Sequence, residues 1–217
     1  MSEALFHSRL EDYLDSLVPV RSEVMQEMEA YAREVHFPII GPAAGYFNYM
    51  IARMIGARQV FELGSGYGYS TAWFARAVRE NGGGVVHHVV WDEELSNKAR
   101  GYLTRLGYAD LVSFHVGEAV ETLQTTTGVF DLMFNDIDKA GYPASIPVIK
   151  EKLKEGGALL LDNTLWHGAI FDEADRSANT IGVLEVTRML TQDPDFVTSI
   201  APIRDGVLVA FRAGARR

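Results

Sequence analysis

The chain has 217 residues, of which 47% are hydrophobic and 23% are charged, and it contains no cysteine. This length supports one well-buried core but not two, so a single domain is expected, and without cysteine the chain has neither disulfides nor a thiolate nucleophile. The formal net charge of −9 argues against nucleic acids or anionic membranes as partners, because both require a basic surface.

The first part of the chain predicts helices that precede the sheet. Apolar residues at helical spacing indicate one helix over residues 2–17, a second over 20–35 and, after a Pro/Gly loop, a third over 43–55. We therefore divide the single domain 1–217 into a helical cap, residues 1–36, and a core, residues 37–217. Spacing leaves the role of the cap open between a lid over a site, a dimer surface and a cover for the core.

The location of the protein is predicted from its N-terminal sequence and its apolar runs. Acidic residues stand where a secretory signal needs an apolar core. No apolar run approaches the roughly 20 residues that span a bilayer. A cytoplasmic protein with no membrane partner is expected.

Residues 60–71, VFELGSGYGYST, read as the end of a strand, a tight turn and the start of a helix. Glycine is needed where backbone passes within contact distance of a ligand, and a helix N-terminus offers unpaired N–H groups to a negative group. Such turns also serve dinucleotide enzymes and purely structural roles. Glu62, in front of the glycines, would repel a pyrophosphate but suits a ligand with an ammonium group.

From Val60 onward, short β-rich runs alternate with helical stretches. The further predicted strands are residues 85–91, 111–116, 129–134, 158–161, 196–201 and 207–212. This alternation predicts an α/β fold with a mostly parallel sheet and helices on both of its faces. The last two strands are joined by a short loop, so the sheet should finish in an antiparallel hairpin.

Polar residues follow two of the predicted strands. Asp136, Asp138 and Lys139 come after residues 129–134, and Asp162 and Asn163 come after 158–161. Ligands of open sheets lie beyond the carboxyl ends of the strands, and carboxylate and amide oxygens are the ligands that Mg²⁺ or Ca²⁺ prefers. The alternatives are that the two aspartates cap a helix and a turn, and that the lysine is a surface residue paired with Asp138.

Four segments, in order, resemble one known family: ELGSGYGYST, FDLMFNDIDKAGYP, LLLDNTLWHG and APIRDGVLVAFR. The chain from about residue 37 to residue 212 looks like the metal-dependent, S-adenosylmethionine-using O-methyltransferases of the catechol and caffeoyl-CoA type. The resemblance implies a Rossmann-like methyltransferase fold, with a mostly parallel seven-stranded sheet whose C-terminal strand is antiparallel, and a homodimer. It also implies methyl transfer to a hydroxyl of a phenolic or catechol small molecule.

The resemblance assigns the metal and catalytic residues. Asp136, Asp162 and Asn163 would bind Mg²⁺, or another divalent cation such as Ca²⁺ or Mn²⁺, and Lys139 would be the general base, with Asp136 beside it. The chemistry is consistent with these roles. A divalent cation lowers the pKa of a hydroxyl group bound to it, and a lysine beside the cation, with its ammonium form disfavoured, accepts the proton.

The resemblance also assigns the S-adenosylmethionine site. It implies contacts from Ile40, Glu62, Gly64, Gly66, Tyr69, Ser70, Trp91, Ala119, Asp136 and Asp138. Glu62 and Asp138 would hold the methionine ammonium, the two glycines would lie beneath it, and Tyr69 and Ser70 would lie by its carboxylate. Trp91 would lie on the adenine and Ala119 would offer backbone to the edge of the base. The alternative for Trp91 is a buried core residue.

The chain departs from the family at two positions. Val90 stands where the family has an acid that binds the ribose hydroxyls, and Thr187 stands where many relatives have an asparagine facing the acceptor. Two other functions stay open. A nicotinamide-dependent oxidoreductase is disfavoured by Glu62, by Val90 and by the lack of a Tyr-x-x-x-Lys pair. A methyltransferase-like binding protein without turnover is favoured by Val90 and disfavoured by the intact set around Lys139.

Overall fold

The computed structural model describes residues 9–213, and its centre is one seven-stranded sheet. The strands are β1 (Gln59–Leu63), β2 (Val85–Val90), β3 (Val112–Val116), β4 (Phe130–Asn135), β5 (Leu153–Leu161), β6 (Phe196–Ala201) and β7 (Val207–Arg212). Their order is β3-β2-β1-β4-β5-β7-β6. Strands β1 to β5 pair in parallel, whereas β7 is antiparallel to both β5 and β6. The predicted parallel sheet and its C-terminal hairpin are confirmed.

Eight α-helices accompany the sheet within residues 9–213. They are α1 (Leu10–Ser16), α2 (Glu23–Val35), α3 (Gly41–Met54), α4 (Tyr69–Glu80), α5 (Glu93–Arg105), α6 (Ala119–Thr125), α7 (Tyr142–Lys152) and α8 (Ala178–Gln192). None of these helices is long and apolar enough to cross a membrane. The helix predicted over residues 2–17 is described only in part, since residues 1–8 lie outside the described range.

The buried residues form two apolar clusters, one on each face of the sheet. Alternate residues of a strand point to opposite faces, so Val60 of β1 joins one cluster and its neighbour Phe61 joins the other. Helices α2 to α5 pack on the first face and α6 to α8 on the second. Because helices cover both faces, the sheet is open to a ligand at the ends of its strands.

Strand β5 begins earlier than predicted, at Leu153 rather than at residue 158. The sequence does not predict a strand over residues 153–157, because two glycines interrupt the apolar pattern there. In the structure Glu155 and Gly156 are exposed. This part of the strand pairs only loosely, since the register with β4 shifts between Phe130 and Leu132. The extension lies at the amino end of β5, far from the strand end that carries Asp162.

Helix α2 of the cap packs on the core. Its buried residues Met25, Met28 and Ala32 belong to the first apolar cluster. Ser22 caps the helix by accepting a hydrogen bond from the Met25 amide. Of the three roles left open for the cap, α2 therefore fulfils at least that of a cover for the core.

The strand order determines where a ligand can bind. From the neighbouring strands β1 and β4 the chain continues in opposite directions, to β2 on one side and to β5 on the other. The loops that leave their carboxyl ends therefore diverge, and a crevice forms between them. The glycine turn follows β1, and the Asp136 to Lys139 segment follows β4.

Candidate functional site

A cavity of about 510 Å³ opens at the carboxyl ends of β1, β4 and β5. It brings together most of the residues that the sequence suggested: Ile40, Gly64, Gly66, Tyr69, Ser70, Asp136, Asp138, Lys139, Asp162 and Asn163 line it. These residues come from four separate segments, and only the tertiary fold makes them neighbours. Glu62, Trp91 and Ala119 do not line this cavity.

The glycine turn is shaped by the close approach of two strand ends. Gly64 has φ +85°, and a Cβ atom there would lie 2.5 Å from the Asp136 carbonyl oxygen, so no other residue fits. The turn ends at Gly68, which precedes α4 and offers no side chain to cap it. The first N–H groups of α4 thus face the cavity without a side-chain acceptor, which suits a negative group such as a carboxylate.

Glu62 lies completely buried at the end of β1. Its Oε2 accepts a hydrogen bond from the Thr71 hydroxyl, which lies 3.0 Å from His88 Nδ1. Its Oε1 has no hydrogen-bond partner among residues 9–213. Burial raises the pKa of Glu62 to about 7, although nearby hydroxyl groups oppose the shift. An unpaired, buried carboxylate oxygen is well suited to a ligand ammonium group.

Trp91 and Ala119 lie outside the cavity wall. The Trp91 side chain is 70% exposed just beyond the end of β2, so the alternative of a buried core residue is wrong. Ala119 is buried as the first residue of α6. Their contacts with adenine stay predictions.

The wall near the end of β2 is apolar. Val90 is the last residue of β2 and lines the cavity together with Leu95. Asp92 does not replace the missing acid, because its Oδ1 caps α5 by accepting from the amides of Glu94 and Leu95 at 2.7 and 3.0 Å. At the end of β2, the position that the resemblance gives to a ribose-binding acid is thus occupied by the apolar Val90.

Lys139 is buried and pairs with Asp136. Its Nζ lies 2.6 Å from Asp136 Oδ1 and 3.2 Å from the Ile137 carbonyl oxygen. The side chain of Lys139 is 10% exposed. The alternative of a surface lysine paired with Asp138 is therefore wrong, and the Asp136 carboxylate serves Lys139 rather than a helix N-terminus.

Asp162 is the most deeply buried carboxylate of the cavity, with a side chain that is 2% exposed. Its Oδ2 accepts a hydrogen bond of 3.0 Å from Arg204, whereas its Oδ1 has no partner among the described residues. Burial raises the pKa of Asp162, the charge of Asp136 raises it further, and Arg204 and Lys139 lower it. A buried, unpaired carboxylate oxygen next to a second carboxylate is a fitting ligand for a hard cation.

The donor set around Asp162 fits a divalent cation with three protein ligands. It consists of two carboxylates and the Asn163 amide, whose Nδ2 is oriented by a 3.2 Å hydrogen bond to Asp205. Within residues 9–213, no cluster of three or more His, Cys, Asp or Glu side chains is placed to hold a metal. The predicted set depends on the amide oxygen of Asn163 as its third ligand.

Tyr142 holds the two strand ends that carry these ligands. Its buried hydroxyl lies 3.1 Å from the Asn135 carbonyl oxygen at the end of β4 and 3.0 Å from that of Asp162 after β5. One hydroxyl thus spans both strand ends. This contact fixes the spacing of Asp136 and Asp162 through the backbone.

The sequence reading missed the contribution of the turn between β6 and β7. The sequence predicts a hairpin loop at Arg204 and Asp205, within the segment APIRDGVLVAFR, and assigns no site role to either residue. In the structure Arg204 contacts Asp162, and Asp205 contacts Asn163 and the amide of His167. The side chain of His167 lines the cavity but is 77% exposed. Charged residues are common in turns, so their spacing in the sequence does not predict a contact with the site. Thr187, in α8, does not line the cavity.

A second cavity of about 460 Å³ adjoins the first one. The two share Phe37, Pro38, Ile39 and Arg204, and the cap helices form the outer wall of the second cavity. The space beside Asp162 thus continues toward the cap.

The comparisons with known proteins agree with this geometry. The family model described as O-methyltransferase matches residues 16–213. The chain is 31% identical over 185 residues to a catechol O-methyltransferase of Mycobacterium tuberculosis, covering 84% of this chain and 83% of the relative. It is 28% identical over 226 residues to caffeoyl-CoA O-methyltransferase 1 of Eucalyptus globulus, covering 97% and 89%.

A solved structure matches the whole fold. The O-methyltransferase TomG from Streptomyces achromogenes, solved in complex with SAM, has a TM-score of 0.85 and 26% sequence identity to the chain. The match covers 99% of this chain and 100% of TomG. The cap helices are therefore included in the shared architecture.

Proposed function

The chain belongs to the O-methyltransferase family and is an S-adenosylmethionine-dependent methyltransferase, and on this premise we propose that it methylates one hydroxyl of a catechol-like small molecule with the help of a divalent cation. Family membership sets aside the two other functions that the sequence left open, a nicotinamide-dependent oxidoreductase and a binding protein without turnover. The homodimer expected from the resemblance stays a prediction.

One observation carries the proposal. Asp136, Lys139 and Asp162 meet in the same cavity as the glycine turn, with Asp162 Oδ1 unpaired. A methyl donor held by the turn and an acceptor held at the two aspartates would therefore be neighbours. Holding two reactants in line supplies much of the rate enhancement of a group transfer, so this adjacency is what methyl transfer needs.

The cofactor end of the cavity is proposed to hold the methionine part of S-adenosylmethionine. Glu62 Oε1 would accept from its ammonium, with Asp138 on the other side of the cavity. The free N–H groups of α4, near Tyr69 and Ser70, would receive its carboxylate. Each of these groups lacks another partner or faces the cavity, which supports the assignment.

The acceptor end of the cavity is proposed to activate a hydroxyl group. Asp136, Asp162 and Asn163 would hold Mg²⁺ or a similar ion, which would act as a Lewis acid on that hydroxyl. The reaction would break the C–S bond of the sulfonium donor, leaving it as a neutral thioether, and form a C–O bond to the acceptor. The hydroxyl proton would pass to Lys139 Nζ, which accepts it in its neutral amine form. The Tyr142 hydroxyl holds the two strand ends that carry the aspartates together.

The test is a panel of catechols, and of matched monohydroxyl phenols, incubated with S-adenosylmethionine in the presence and absence of chelator. We expect methylation of catechols, little methylation of the monophenols, and loss of activity with chelator that Mg²⁺ or Mn²⁺ restores. Full activity in chelator would contradict the role of the cation. Methylation of monophenols at the same rate would contradict the acceptor class.

A further inference from the structure

Arg204 places a positive charge against the predicted metal site. Its Nη1 donates a 3.0 Å hydrogen bond to Asp162 Oδ2. The side chain of Arg204 is 23% exposed and that of Asp162 is 2% exposed, so solvent screens this ion pair only partly. Arg204 is also one of the four residues shared by the two cavities.

The turn holds Arg204 in place. Its φ of +52° is a left-handed conformation that favours glycine, so the surrounding hydrogen bonds must compensate for the strain. The Gly206 amide donates to the Ile203 carbonyl at 2.9 Å, and the Leu165 amide donates to the Asp205 carbonyl at 2.8 Å. The turn is thereby joined to the loop that follows Asp162, which keeps the guanidinium and the carboxylate together.

Both carboxylates of the predicted metal site are therefore already paired with a cation of the chain. Lys139 forms an ion pair with Asp136 Oδ1, and Arg204 forms one with Asp162 Oδ2. Among residues 9–213, Asp162 Oδ1 is buried without a hydrogen-bond partner. A divalent ion bound to Asp162 would share that carboxylate with a guanidinium at hydrogen-bond distance, and like charges so close together repel.

We propose that Arg204 is a built-in cation of the metal site, which weakens the binding of divalent ions by competing for the charge of Asp162. The inference rests on the proposed function, because it presumes that Asp136, Asp162 and Asn163 hold the ion. As a consequence, the site would bind its divalent ion weakly and exchange it readily.

The test is Mn²⁺ binding to the full chain without cofactor or acceptor, by calorimetry and by electron paramagnetic resonance of free Mn²⁺. Arg204→Gln removes the charge, and Arg204→Gly does so with a residue that the left-handed backbone favours. Both should bind Mn²⁺ about 10- to 100-fold more tightly than the wild type, since a charge-assisted contact with Asp162 is lost. Arg204→Lys should stay near the wild type.

Arg33→Gln is the matched control. Arg33 lies in the wall of the second cavity with Arg204 but is exposed, and it makes no ion pair with the predicted metal ligands. Its loss should leave Mn²⁺ binding unchanged. An equal gain from Arg33→Gln would mean that general charge, not the Arg204 contact, sets the affinity, and would overturn the inference.

The remaining outcomes separate the inference from the proposed function. If the wild type binds Mn²⁺ and the Arg204→Gln and Arg204→Gly variants bind it equally or more weakly, Arg204 only orients Asp162, and the inference fails while the metal site stands. If neither the wild type nor any variant binds Mn²⁺, the metal site of the proposed function fails and the inference fails with it.

Discussion

Tyr69, the first residue after the glycine turn, donates a 2.8 Å hydrogen bond to Glu29 in the middle of cap helix α2. The same carboxylate is bound by Arg21 through two further hydrogen bonds of 2.9 and 3.0 Å. The hydroxyl of the neighbouring Tyr67 donates to the Met28 carbonyl at 2.9 Å. The buried side chains of Tyr67 and Tyr69 therefore connect the glycine turn to the cap.

Tyr69→Phe should lower the free energy of unfolding by about 1.5 to 3 kcal/mol, because a buried hydrogen bond to a charged acceptor is lost. It should also weaken S-adenosylmethionine binding, since the turn loses its anchor on α2. Chemical denaturation and calorimetry measure the two effects. Tyr46→Phe is the control, because no hydrogen bond of the Tyr46 hydroxyl is present among the described residues. Equal effects from both variants would contradict the anchoring role.

The affinity for S-adenosylmethionine should rise with pH through the pKa of Glu62, which burial raises to about 7. The ligand ammonium needs the carboxylate form, and below this pKa the group holds a proton that binding must displace. Well below pH 7, the dissociation constant should therefore increase about tenfold for each unit by which the pH is lowered. Calorimetry between pH 5.5 and 7.5 measures it. Glu62→Gln should bind weakly with little pH dependence, and an unchanged slope would assign the effect to another group.

Lys139→Ala should lower turnover by roughly 10²- to 10⁴-fold, because a general base contributes about that much to a chemical step. Cofactor affinity, measured by calorimetry, should change little. Lys139→Arg preserves the ion pair with Asp136 but cannot give up its proton at working pH, so it should not restore turnover. Near-normal turnover of the arginine variant would show that Lys139 supplies charge alone.

Val90→Glu should tighten S-adenosylmethionine binding by one to two decades, since a hydrogen bond to a charged acceptor is worth roughly 1.5 to 3 kcal/mol. Val90 lines the cavity at the end of β2, so the new carboxylate would face the ribose. Adenine alone should bind both proteins equally. Val116→Glu is the matched control, because Val116 pairs in register with Val90 on β3 but is 52% exposed. Weaker binding to Val90→Glu, with the fold intact, would mean that the ribose is held elsewhere.

The double variant Leu17→Asp and Val20→Asp should convert a dimer to a monomer if the cap carries the subunit interface. These side chains are 61% and 91% exposed, so their replacement should leave the fold intact while it removes apolar contact area. Light scattering measures the mass and circular dichroism checks the fold. Val197→Asp is the control, since Val197 is 54% exposed on the edge strand β6. A double variant of unchanged dimeric mass would place the interface elsewhere.

The sequence by itself determined the fold class, the order of the strands along the chain and the segments that carry the site. These features are local. Apolar periodicity distinguishes strand from helix, and Gly64 marks a backbone conformation and a close approach that other residues do not tolerate. The end of β2 was also placed correctly from the pattern, to within one residue.

Only the tertiary structure decided which polar groups meet. Lys139 pairs with Asp136 rather than Asp138, Arg204 reaches Asp162 from 42 residues away, and Glu29 reaches Tyr69 from the cap. Periodicity says which face a residue points to, but not which distant residue lies opposite it. That choice depends on strand order, on helix packing and on loop conformations such as the left-handed backbone of Arg204, which are determined by the whole fold.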